Sequence, residues 1–145
     1  MKYKDEDEIS RLIDTFESGT IPRSDWRHAE HLIVACRYLF EHDFEEAAFR
    51  MRSGILSLLD AFGVDQTAES PYHETLTVFW MRAVDAFRLE HPELGFFELC
   101  ERITNEFDKD FPLRFYSRER LFSADAKRTF LEPDLVALNK ARRLD

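Results

Sequence analysis

The spacing of apolar residues constrains this chain most. Ile9, Leu12, Ile13 and Phe16 fall at i, i+3, i+4 and i+7, which is one stripe of an amphipathic helix. The spacing recurs in later segments. Leu32, Ala35 and Leu39 form one stripe, and Phe44, Ala47, Ala48, Met51, Ile55, Leu58, Leu59 and Phe62 a longer one. Leu76, Trp80, Ala83, Val84 and Phe87 make a fourth, and Phe96, Phe97, Cys100, Ile103 and Phe107 a fifth. No apolar–polar alternation persists beyond about four residues, so strands are not expected.

End signals then bound five helices. The first covers residues 5–18 and stops at Gly19 before Pro22. The second starts at Ser24 or Asp25, either of which can cap it, and runs to Glu41. The third opens on the pair Asp43 and Glu46 and ends at Gly63. The fourth spans 72–90, the fifth 93–107, and residues 64–71 read as a loop. Beyond Asp108, Pro112 and Pro133 break the pattern, while Ser117 and Ser123 mark two short capped starts. The last turn, 139–145, reads as a solvated, frayed end. The expected architecture is all-α: one domain over 1–145, a compact bundle of four to five helices (1–107) with an irregular C-terminal wrap (108–145).

Composition excludes several classes. A chain that is 44% hydrophobic can bury a core. Its formal charge of −9 argues against nucleic acid as a partner, because phosphate contacts need a basic face. No apolar run is long enough to span a membrane, and the charged start has no signal-peptide core. A cytoplasmic location is therefore expected, with Cys36 and Cys100 as reduced core residues. Half of the 14 phenylalanines lie from Phe96 onward, as expected if aromatic rings pin the irregular third to the bundle.

Two histidine groups carry the functional expectation. One is Trp26-Arg27-His28-Ala29-Glu30-His31, the other Tyr72-His73-Glu74-Thr75-Leu76-Thr77. His28 continues the stripe of helix 2, and His73 that of helix 4. In an up-and-down bundle these two helices run parallel, so their N-termini share one end. His28, His31, His73 and Glu74 can meet there. Three imidazoles and a carboxylate are a ligand set for a divalent ion such as Zn, Fe, Mn or Ni. The positive end of a helix also favours neutral imidazole, so His28, His73 and Glu74 are candidate acid–base groups. Arg27, Thr77, Trp80 and Tyr116 are candidate ligand-binding residues, although Ser117 next to Tyr116 reads better as a helix cap. The Glu74 segment lacks the second histidine of a zincin motif, and no phosphate loop or nucleophile elbow is present.

On these residues the chain resembles an uncharacterised family of small bacterial all-helical proteins. The likeness rests on His28-Ala29-Glu30-His31-Leu32, on Tyr72-His73-Glu74-Thr75-Leu76-Thr77 with Phe79-Trp80, on Tyr116-Ser117, and on Glu132-Pro133-Asp134-Leu135. It implies that the histidine groups and the wrap form one unit, and it brings no activity. The expected function is a His/Glu site at the shared end of helices 2 and 4, a metal-binding or acid–base enzyme acting on a small molecule. The alternative is a non-catalytic module that binds a small ligand, an anion or a protein, homo-oligomers included.

Overall fold

Asp5 accepts the backbone N–H of Glu8 and so starts helix α1 (Glu6–Ser18). Gly19 ends it in the left-handed region at φ 72°, where Thr20 bonds back to the Thr15 carbonyl. The computed structural model describes residues 1–65 and 72–138. Among these it contains seven α-helices and no strand. The others are α2 (His28–Glu41), α3 (Phe44–Ala61), α4 (Glu74–Glu90), α5 (Phe96–Glu106), α6 (Arg118–Leu121) and α7 (Ala124–Arg128). No helix among the described residues is long and apolar enough to cross a membrane. Most of the expected 64–71 loop and the 139–145 end lie outside the described residues.

Helix α2 is the centre of the molecule. Leu32, Ile33, Val34, Ala35 and Cys36 are all fully buried, and five consecutive residues cover a helix on every side. Accordingly α3, α4 and α5 all pack against it. Cys36 and Cys100 are buried and free, on α2 and α5.

Two starts differ from the sequence expectation. Ser24 and Asp25 belong to a single 3-10 turn, and α2 begins at His28. The chain is extended at Trp26 and Arg27, and the Glu30 carboxylate takes the Arg27 N–H at 3.3 Å. Helix α5 begins at Phe96 instead of Glu93, because a turn from His91 to Leu94 intervenes. His91 is half-buried and stacked on Phe87 at 4.1 Å.

Gly54 positions one wall of the site. A Cβ there would stand 2.5 Å from the Phe16 ring, so only glycine lets α1 approach α3 this closely. Phe16 in turn stacks on Trp26 at 4.8 Å and holds that indole at the start of α2.

The C-terminal third is fastened by rings and by hydrogen bonds. Phe79 on α4 meets Phe111, Phe115 and Tyr116 at 5.4–6.0 Å between centroids. Trp80 meets Phe107 and Phe111. Buried Thr75 donates to the Thr129 carbonyl at 2.9 Å and accepts the Leu131 N–H at 3.1 Å. Ser117 and Ser123 cap α6 and α7 as expected. The aromatic excess after Phe96 thus does pin an irregular segment to the bundle.

Candidate functional site

The starts of α2 and α4 lie at the same end of the bundle. The rings of His28 and Trp80 are 4.9 Å apart, although α3 separates their helices in sequence. Between them is an open pocket of about 380 Å³, within the usual range for small-molecule sites. Its aromatic and apolar walls include Trp26, Trp80, Tyr72 and Leu76. Its polar lining includes His28, His31, His73, Thr77, Arg27 and Lys109.

The three histidines are not equivalent. His73 precedes α4 as its cap, and its Nδ1 accepts the Leu76 N–H at 3.1 Å. Its Nε2 lies 2.6 Å from the Leu121 carbonyl, which can only accept, so Nε2 carries the proton. Both nitrogens are thereby committed and the ring is neutral. Burial, the largest influence, and nearby Lys127 hold its pKa below the ordinary histidine value, against the Leu121 bond.

His28 opens α2 and is half-buried. Its Nε2–H donates to the Phe107 carbonyl at 2.9 Å, which leaves Nδ1 as an acceptor. His31 lies one turn further on, its ring 6.0 Å from that of Trp26. Burial and, to a lesser degree, His28 push its pKa down to about 4. Among the described residues, neither His28 Nδ1 nor either nitrogen of His31 has a hydrogen-bond partner, and none is sealed from solvent.

Glu74 does not join the histidines. Arg52 of α3 grips both its oxygens, at 2.8 and 2.6 Å, and the Tyr72 hydroxyl donates to it at 2.6 Å. These partners outweigh burial and hold its carboxyl below the ordinary range. Thr77 lines the pocket but donates its hydroxyl to the His73 carbonyl at 3.0 Å. Tyr116 is fully buried away from the pocket and donates to the Leu131 carbonyl at 2.6 Å. Of the four expected metal ligands, His73 and Glu74 are therefore engaged elsewhere. Among the described residues no three His, Cys, Asp or Glu side chains come together as a metal site.

Two contributors to the pocket and one buried neighbour were not anticipated. Lys109 comes from the connection after α5, where no periodicity marks it. Trp26 heads the first histidine group in sequence with no role of its own assigned there, and it forms a pocket wall. Glu30 is 3% exposed, accepts the Tyr3 hydroxyl at 2.8 Å and faces Lys2 at 3.6 Å. Nothing in the sequence pattern marked it as buried.

Comparison of the chain with family models, curated proteins and solved structures returns no match. The functional reading rests on this geometry.

Proposed function

We propose that the protein binds a small organic molecule in the pocket at the shared end of α2 and α4, with His28 as its acid–base group. One observation carries the reading. A pocket of ligand size holds a histidine whose Nε2–H is fixed by a backbone carbonyl while Nδ1 is left without a partner. A carbonyl partner sets the tautomer and aim of an imidazole, so that the other nitrogen can take a proton or a hydrogen bond from a bound molecule. His31 contributes a second polar group that stays neutral at pH 7. The aromatic walls supply contact area.

The chain's two tryptophans, Trp26 and Trp80, both line the pocket. Their two indole N–H signals in a proton–nitrogen NMR spectrum therefore report on it directly. A library of small aromatic and aliphatic compounds is expected to contain members that shift both signals. His28→Gln keeps a donor for the Phe107 carbonyl but lacks Nδ1, so it should fold normally and bind such a compound about 2- to 10-fold more weakly. A library that leaves both indole signals unmoved overturns the binding reading. Binding by His28→Gln equal to the parent removes the role of Nδ1.

A further inference from the structure

The pocket's charge is opposite to that of the chain. One residue in five is acidic (29 of 145), yet none of the twelve described residues lining the pocket is. Two of the twelve, Arg27 and Lys109, are cations. Among the described residues neither has a carboxylate within ion-pair distance, and both are exposed. This holds for Lys109 although Asp108 and Asp110 flank it; the Asp108 carboxylate accepts the Asp110 N–H. The Arg27 Nε–H donates to the Ser24 carbonyl, which leaves its charge uncompensated. Arg27 and His28, which open α2, both line the pocket, so the positive end of a 14-residue helix adds to the same field. Glu30, in the same first turn, is held by Tyr3 and Lys2 and does not line the pocket.

In a chain of net charge −9, a pocket lining that carries two cations and no carboxylate favours a negative ligand. Indole walls point to a flat partner, since rings stack on rings. We propose that the ligand of this pocket is a planar organic anion, an aromatic carboxylate or phosphate, whose ring lies on the tryptophan wall and whose charge faces Arg27 and Lys109. The proposal rests on the binding reading above and names its ligand class. With Arg27 and Lys109 supplying the charge, His28 and His31 are free to exchange hydrogen bonds with the ring substituents.

The experiment follows the two indole signals of the full chain with four named probes of similar size. Phenylacetate and phenyl phosphate are anionic, phenylacetamide is neutral and phenethylamine is cationic. At low salt the better anion is expected to bind about tenfold tighter than phenylacetamide, which is about 1.4 kcal/mol. The amine is expected to bind weakest. Which anion wins separates a carboxylate from a phosphate ligand. In the surface variant carrying Arg27→Ala and Lys109→Ala, the preference for the anion over the amide should vanish while amide binding persists. Added salt should reduce the preference in the parent chain. Amide or amine binding as tight as the anion overturns the charge assignment and leaves the pocket reading intact. Failure of all four to move either indole signal overturns this ligand class, and the compound library above then decides the binding reading.

Discussion

His73 was expected to serve chemistry, and the structure gives it two structural bonds whose loss can be apportioned. Its Nδ1 caps α4 by accepting the Leu76 N–H, and its Nε2–H satisfies the Leu121 carbonyl at the end of α6. Losing a side-chain cap costs about 1 kcal/mol. Stranding the carbonyl costs about 1–2 kcal/mol, because the site is half-buried and some water can replace the donor. His73→Ala loses both and is expected to destabilise the fold by about 2–3 kcal/mol. His73→Asn keeps a capping oxygen but is too short to reach Leu121, whereas His73→Gln can place a donor near the Nε2 position but caps poorly. Each should recover part of the loss. The assay is urea unfolding at pH 7, followed by tryptophan fluorescence and by helical circular dichroism. A loss below about 0.5 kcal/mol in His73→Ala, or single-bond variants no better than alanine, would refute this division of roles.

Two further outcomes follow. Tyr116→Phe removes the donor to the half-buried Leu131 carbonyl and should cost about 1 kcal/mol in urea unfolding, while ligand shifts at the indole signals stay at parent affinity. A fall in affinity without loss of stability would return Tyr116 to the pocket. The fold should also weaken as pH falls from 7 to 5. His31 is held at about 4 against an ordinary value near 6.5, so the unfolded chain takes up its proton first. Its contribution is complete above about 6.5 and is lost as pH falls toward 4. Allowing for its contact with solvent, the loss between pH 7 and 5 is about 1–2 kcal/mol. His31→Gln should flatten that part of the stability profile, and an unchanged slope would contradict the assignment.

The bundle was legible in the sequence because helix periodicity and caps are local. Asp43, Ser117 and Ser123 cap the helices expected of them. Where a tertiary contact competes with a local signal, the local signal misleads. Ser24 and Asp25 are good caps by type, yet α2 starts later, where Phe16 holds Trp26 and Glu30 holds the Arg27 N–H. The stripe through Leu32, Ala35 and Leu39 identified one face of α2. The unbroken run from Leu32 to Cys36 was the stronger signal, that of a helix buried all round. The site was legible only in its topology. The parallel course of α2 and α4 brought His28, His31 and His73 to one pocket. Glu74 sits one step along the helix from His73, about 100° around the axis, and that step turns it toward Arg52 on α3. No pattern links residues 22 positions apart, and none could have marked Lys109.

The two histidine motifs prove to be one device used twice. His28 at the start of α2 gives its Nε2–H to the Phe107 carbonyl, and His73 at the start of α4 gives its own to Leu121. Both bonds run from the central helices to the C-terminal third. The first fixes the backbone two residues before Lys109, and so sets one of the pocket's cations at its rim. The second, with Thr75, holds the segments after α6 and α7 against α4. What separates the two sites is the other ring nitrogen. In His73 the Leu76 N–H consumes it. In His28 no described residue does, because the ring sits within the first helical turn instead of at the cap. The same residue type thus closes the fold at one helix start and leaves an open acceptor at the other. That difference is why the proposed acid–base role falls to His28.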